Sequence, residues 1–374
     1  MSVLSIPNDI FGIIFDIIDI STILNLRLVC KQMNDIVHNK SWTRKFLFRS
    51  SNSNIFYSII LLDRVSYFWD LKDVQFDGLH FGDVSNYEYN MVYQLSKTRK
   101  MIPYNLIFKK CHIHANYLRN DIKINYLSFF DFSKLVKLKL NNIACNYFRI
   151  NEISKMCTNL TNLSIIDKQF RNCDTIIKAF SACSLNKLVI NYNRHSCFYL
   201  CSNSVNDLLQ IKFLKCYHVH LTNINVEKLT NLQKLHLECS SITSTYYGII
   251  LTSLIDLTIT HCFCRNCHFC SDRLIENIYL PNLQTMRLKT RKANINLNSL
   301  NLQEKLISLS ILFQSGTYDS KVYSARELKK LTNLKFLEIR YDTQLSYLST
   351  NFGYDTQLSY IDNFFVDDRI IFIQ

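Results

Sequence analysis

The sequence predicts an α/β chain. A short helical segment opens it, and a curved solenoid follows, with parallel strands on the concave face and helices or irregular turns on the convex face. Three observations carry this. A six-residue phrase, Leu-x-x-Leu-x-Leu, recurs nine times from residue 135 onward. First positions of successive copies lie 25, 25, 23, 24, 22, 29, 23 and 28 residues apart, about one strand and one connecting segment per unit. The first 48 residues instead carry apolar side chains at helical spacing.

In that first segment Pro7 can open a helix, because its missing N–H is not needed there, and Asp9 suits the first turn. Ile10, Ile13, Ile14, Ile17 and Ile18 then make one apolar face. Ser21 can cap a second helix that carries Ile23, Leu24, Leu26, Leu28, Val29, Met33, Ile36 and Val37. Trp42 and Phe46 are expected to close a third, shorter element. Three such helices are too small to stand well alone, so a partner or the next domain should cover part of them.

These residues resemble an F-box. The family pattern Leu-Pro-x-Glu-Ile reads Ile6-Pro7-Asn8-Asp9-Ile10 here, and its Ile-Phe pair reads Ile14-Phe15. The leucine-rich stretch reads Ile23-Leu24-Asn25-Leu26-Arg27-Leu28, then Val29-Cys30-Lys31-Gln32-Met33, and later Trp42. Three positions depart: Ile6 for Leu, Asp9 for Glu, and Met33, a softer anchor, for Trp. The resemblance implies a domain over residues 1–48 that docks on the Skp-type adaptor of a cullin ubiquitin ligase. Pro7, Ile10, Ile14, Phe15, Leu24 and Val29 would then form the docking motif or the core that shapes it.

The repeated phrase runs Leu135, Leu138, Leu140; Leu160, Leu163, Ile165; Leu185, Leu188, Ile190; a weaker copy at Leu208, Ile211, Phe213; and Leu232, Leu235, Leu237. It continues with Leu254, Leu257, Ile259; Leu283, Met286, Leu288; Leu306, Leu309, Ile311; and Leu334, Leu337, Ile339. Positions 4 and 6 alternate with more polar positions 3, 5 and 7, the mark of a short strand with one buried face. Helix-like stretches lie between, at residues 151–157, 174–183, 272–278 and 325–331. One strand and one connector cannot bury their apolar sides, but stacked neighbours can.

Over residues 132–345 the chain resembles the leucine-rich-repeat family. Residues 49–131 read as a linker or as degenerate repeats, with Leu71, Val74, Phe76, Leu106 and Phe108 as candidates, and residues 346–374 as a C-terminal cap. Within it the seven residues from Tyr341 recur from Tyr354, an offset too short for another full unit and read as a tandem duplication. The family's Asn or Cys three residues after position 6 is mostly missing. Asn193 and Cys262 fit, whereas Ile143, Lys168, Ser240, Arg291, Gln314 and Asp342 do not, so the loops should be satisfied in other ways.

Composition narrows the function. The 374 residues are 48% hydrophobic, enough for a large core and contrary to disorder. Only 6 glycines occur, and neither GxGxxG nor GxxxxGK[ST] is present, which argues against glycine-loop nucleotide chemistry. The longest apolar stretch, residues 55–62, is far short of the ~20 residues of a membrane span. With no basic leader read at the N-terminus, the expectation is an intracellular protein of cytoplasm or nucleus, with no membrane association. Its 14 cysteines are then mostly packed thiols. Abundant Ile, Asn, Lys and Tyr point to an A/T-biased genome, such as that of a large DNA virus or a protist.

The net charge is +13. Basic residues expected on the concave face are Lys137, Lys139, Lys187, Lys212, Lys234, Arg287, Lys289 and Arg340, against Glu238, Asp256 and Glu338. That excess suits an acidic or phosphorylated protein target, or simply mirrors the global charge. The lysines are scattered and no nucleic-acid motif accompanies them, which does not favour a nucleic-acid partner.

Cys262, Cys264, Cys267 and Cys270, with His261 and His268, are weak candidates for a structural metal, and His236 and Cys239 on the neighbouring repeat could contribute. Free thiols are the simpler reading, and no metal or other cofactor is assigned. His112 and His114, and likewise His218 and His220, are spaced to share one side of a strand. No catalytic residue is assigned.

The function implied by both resemblances is a non-catalytic substrate receptor of a Skp–cullin–F-box ubiquitin ligase. The alternative is a leucine-rich-repeat scaffold that joins no ligase and uses its N-terminal helices as a cap.

Overall fold

A computed structural model of the chain describes residues 45–49, 73–81, 102–113, 130–145, 147–167, 173–192, 198–201, 208–222, 229–243, 249–260, 278–290, 305–313 and 331–341. Residues 1–160 and 161–374 form two compact units.

In the first unit, strands β1 (Lys45–Arg49), β2 (Asp73–Asp77), β4 (Asn105–Lys109) and β6 (Lys137–Asn141) pair in parallel, in that order. The short strands β3 (His80–Phe81), β5 (His112–Ile113) and β7 (Ala144–Cys145) make a side ladder that follows the same order. The degenerate candidates are thus in register. Val74 pairs with Leu106 and then Leu138, and Phe76 with Phe108 and then Leu140. Leu71 lies outside the described residues. Phe46 belongs to strand β1, not to a third helical element. From β2 to β6 the strand offset is 32 residues, longer than any interval between the sequence-derived copies, and buried Pro103 takes position 1 of its unit.

The second unit continues the pattern over eight parallel strands: β8 (Asn162–Asp167), β9 (Lys187–Tyr192), β11 (Phe213–Tyr217), β13 (Lys234–Glu238), β16 (Asp256–Thr260), β18 (Thr285–Thr290), β19 (Ser308–Phe313) and β20 (Phe336–Tyr341). Side ladders run through β10 (Phe198–Cys201), β12 (Val219–Thr222) and β14 (Ser241–Thr243), and through β15 (Ile249–Ile250) and β17 (Ile278–Tyr279).

Two helices lie among the described residues, α1 (Tyr147–Met156) and α2 (Cys173–Ala179). Of the predicted helix at 272–278, Ile278 belongs to β17 and the rest lies outside the described residues, as do residues 325–330. The architecture is therefore a parallel-strand solenoid with few helices among the described residues. None of those helices is long and apolar enough to cross a membrane.

The fourth copy of the phrase has a different register from the one the sequence suggests. Leu214 pairs with Leu188 and Cys216 with Ile190, and both are buried. Ile211 is therefore position 1, and Phe213 is an outward position 3. Leu208 is the turn residue three places earlier, equivalent to Leu229, Leu251, Leu280 and Leu331, all buried. In each of these units the N–H of position 1 donates to that turn residue's carbonyl.

The strands are stitched by a repeated backbone pattern. The carbonyl of position 2 accepts both the position 2 and position 3 N–H of the next unit, as Lys212 does from Gln233 and Lys234. Just ahead of position 1, Asn159 donates to the Ser133 carbonyl at 2.6 Å, Asn231 to Leu209 at 2.9 Å and Asn282 to Thr252 at 2.6 Å, and the Ser253 hydroxyl donates to Thr230.

At the other strand end, position 8 turns left-handed: Gly78 at φ 76°, Lys110 at 52°, Asn142 at 49°, His218 at 54° and Cys239 at 49°. That turn aims its N–H at the next unit's position 7 carbonyl, as in Gly78 to Lys109 at 2.8 Å and Cys239 to Thr260 at 2.7 Å. His218 therefore sits on the turn, before strand β12 that holds His220, so the two do not share a strand.

Position 9, the missing family Asn, is a buried core residue at Leu79, Cys111, Ile143, Val219 and Ser240. Where it is polar it still ties down the loop. The Cys111 thiol donates to the Phe76 and Lys109 carbonyls, and the Ser240 hydroxyl accepts from the Val219 N–H and donates to the Glu238 carbonyl. Burial pushes the Cys111 thiol up to about 11, so it is a structural, unreactive group. Cys157, Cys183, Cys216 and Cys239 are likewise buried core members.

Candidate functional site

Strand alternation turns positions 4 and 6 into the core and leaves positions 3, 5 and 7 on the outward face of the sheet. That face is where a partner can reach the chain.

In the first unit it carries polar pairs around the outward Ile107. Asn105 donates to Asp73, and the Lys109 ammonium meets Asp77 at 2.8 Å. Beyond them Lys137 is exposed and Lys139 half-buried on β6.

In the second unit the middle of the face is built from β9, β11 and β13. At the level of position 3, Lys187, Phe213 and Lys234 stand side by side on neighbouring strands. At position 5 come Val189, Lys215 and His236, and at position 7 Asn191, Tyr217 and Glu238. The Lys187 ammonium lies 4.7 Å from the Phe213 ring centroid, and that of Lys215 lies 4.7 Å from the centroid of Tyr217. The Tyr217 and His236 rings are 5.9 Å apart. Cation–ring contacts of this kind contribute ~0.5–1 kcal/mol when exposed, so they orient the lysines without immobilising them.

His236 Nε2 lies 3.7 Å from the Glu238 carboxylate. The polar contact with His236 holds that carboxyl below its usual range; burial opposes the shift, and the charges of His236, Lys215 and His218 add to it. On the next strands Asp256 lies 3.9 Å from both Lys234 and Arg287. Ser310 donates to Glu338 at 2.6 Å.

The structure thus brings Lys187 and Lys234 to one level of the same face, three strands wide with Phe213 between them. Arg287 is exposed and Lys289 half-buried farther along, on β18. Arg340 lies in β20. Lys212 is exposed but precedes its strand, and Lys215 takes the outward place assigned to it. Phe213, Lys215 and Tyr217 escaped the sequence reading because the register of that copy was set three residues early. Their signal was the alternation Leu214-Lys215-Cys216-Tyr217 once Cys216 is read as apolar.

Pro7, Ile10, Ile14, Phe15, Leu24 and Val29 lie outside the described residues, as do Cys262, Cys264, Cys267 and Cys270. Among the described residues no three His, Cys, Asp or Glu side chains converge on a metal position. His236 faces Glu238 and Tyr217, and Cys239 is a core residue of the turn.

Comparison with known proteins gives three findings. Residues 3–45 match the F-box domain. No curated protein sequence matches the chain. Among solved structures, an internalin from Listeria monocytogenes is similar at 16% identity and a TM-score of 0.35, covering 75% of this chain and 77% of its own. The F-box match ends where strand β1 begins, at Lys45. The chain matches an F-box domain at its N-terminus, and the described residues after it form a parallel-strand solenoid consistent with a leucine-rich-repeat fold.

Proposed function

We propose that this chain is a non-catalytic substrate receptor of a Skp–cullin–F-box ubiquitin ligase. The observation that supports it is the F-box match over residues 3–45, followed directly in the chain by repeats with an outward, partner-accessible face. F-box domains generally bind Skp-type adaptors. On this reading Pro7, Ile10, Ile14, Phe15, Leu24 and Val29 shape the adaptor surface, and the cullin joins through the adaptor. The sheet face holds a protein target that is acidic or phosphorylated, drawn by the excess of basic side chains. Ubiquitin transfer belongs to other subunits, and this chain contributes proximity. It works inside the cell, in cytoplasm or nucleus; if a large DNA virus encodes it, the ligase it redirects is the host's.

The test is capture of the Skp adaptor and cullin by the full chain. Deleting residues 1–48, or combining Pro7→Ala with Ile14→Asp, should abolish capture. A folded chain that captures neither protein would instead be a repeat scaffold whose N-terminal helices serve as a cap.

A further inference from the structure

The outward middle of β9, β11 and β13 differs from the rest of the described sheet face. Here large rings stand among lysines. A half-buried Phe213 sits between Lys187 and Lys234 on its two neighbouring strands, and Lys215 follows two residues along its own strand. The first two ammonium groups belong to strands two steps apart, about 10 Å at the usual strand spacing. On an extended peptide residues i, i+2 and i+4 share a face, and i and i+4 lie about 13 Å apart at ~3.3 Å per residue, a span that two long lysine side chains on those strands can reach. Lys187 and Lys215 lean over aromatic rings, which strips part of their water before any partner arrives. An ionised Glu238 and the Asp256 carboxylate interrupt the positive charge on the β13 and β16 side. A continuous polyanion laid along the stacking direction at the level of Phe213 would run onto Asp256, and one laid at the level of Tyr217 would run onto Glu238. A peptide with spaced acids can avoid them.

We infer that Phe213, ringed by Lys187, Lys215 and Lys234 and flanked by Tyr217 and His236, is the anchor for an acidic peptide segment of the protein target. Two carboxylates four residues apart on one face of an extended segment straddle Phe213, and the apolar side chain midway between them packs on its ring. This deepens the proposed use of the sheet face as the target-holding surface, and it does not depend on ligase membership. Charge supplies the encounter rate and the aromatic contact supplies the residence time.

The experiment is fluorescence anisotropy of the full-length chain with a labelled synthetic peptide holding two Glu four residues apart with Leu midway between them. Competitors are the same composition with the two Glu adjacent, the Lys-for-Glu analogue, and a short single-stranded oligothymidylate. The spaced acidic peptide should bind, and more tightly than every competitor. Phe213→Ala should weaken it by roughly ten-fold or more, the scale of a central anchor. Lys187→Glu with Lys215→Glu should abolish it. Lys137→Glu with Lys139→Glu, the same charge change in the other unit, should shift it by less than about three-fold, the scale of a rim charge.

Circular dichroism and adaptor capture are recorded for each variant, so a folding defect and a ligase failure are read separately. Absent binding, equal binding by Phe213→Ala, or tighter binding of the oligothymidylate would each overturn the anchor. None of these outcomes would touch adaptor capture.

Discussion

The two units use aromatic residues in opposite ways. In residues 1–160 four phenylalanine rings are buried together: Phe76 and Phe108 stack at 5.7 Å, Phe130 meets Phe76 edge-on at 5.7 Å, and Phe132 stacks on Phe130 at 5.7 Å. The outward face of β2 and β4 carries two polar pairs, Asp73 with Asn105 and Asp77 with Lys109, with Gln75 and Ile107 between them. In residues 161–374 the buried strand positions are aliphatic or sulfur-bearing, such as Leu188, Ile190, Leu214, Cys216, Leu235 and Leu237. There Phe213 and Tyr217 lie outside, among lysines. One repeat plan thus supports two uses of the same side chain. A ring inside adds packing, and a ring outside, where water already reaches it, adds little to folding and is available for contact.

The sharpest way to break this contrast is truncation on each side. Phe76→Ala or Phe108→Ala removes a fully buried ring and should cost ~3–5 kcal/mol. Phe213→Ala should cost under ~1 kcal/mol, as a partly exposed position outside the core. Urea unfolding of the full chain compares the midpoints. Equal losses on the two sides would mean that Phe213 is a packing residue, and the contrast would fail.

Those same residues show how much could be read in advance. The two-residue alternation and the nine recurring phrases were enough to place most strands, because a buried strand face leaves its period in the sequence. The fourth copy differs because five of the units, this one included, carry a leucine three residues ahead of position 1, as in Leu229-Thr230-Asn231-Leu232. Leu208 and Ile211 imitate positions 1 and 4, while Cys216 hides position 6. A three-residue error in a structure of period two sends every side chain to the wrong face. Phe213 was therefore placed inside and Lys212 outside, and the centre of the candidate site went unread. The first unit was faint for another reason. From β2 to β6 the strands recur at 32 residues, and position 1 of the β4 unit is Pro103, so the period is stretched and one leucine mark is lost.

Turn chemistry refines the comparison at a smaller scale. At the left-handed position 8 the first unit has Gly78, Lys110 and Asn142, and the second has His218 and Cys239, so glycine appears there once among the described residues. A β-carbon in that conformation costs ~1–2 kcal/mol. Gly78→Ala should therefore destabilise the chain by about that much, although it removes no contact, and Lys110→Gly, at an exposed left-handed position, should be close to neutral. The check is again the urea midpoint. A neutral Gly78→Ala would show that the turn relaxes and that its hydrogen bond to Lys109 does not fix it.

The smallest effect tests the electrostatics of the outward face. The Glu238 carboxyl is held below its usual range, first by contact with His236, with Lys215 and His218 adding and burial opposing. A carboxyl whose folded value is depressed stabilises the fold above its unfolded value, near ~4.3, and loses that contribution as pH falls through the folded value. Wild type should therefore exceed Glu238→Gln in stability at neutral pH. The gap should begin to close near pH ~4.5 and vanish below the depressed value. Unfolding midpoints measured across that range decide it. A gap that stays constant, or widens on acidification, would mean that the carboxylate is not held by its neighbours, and the charge pattern that separates a spaced acidic peptide from a continuous polyanion would lose its basis.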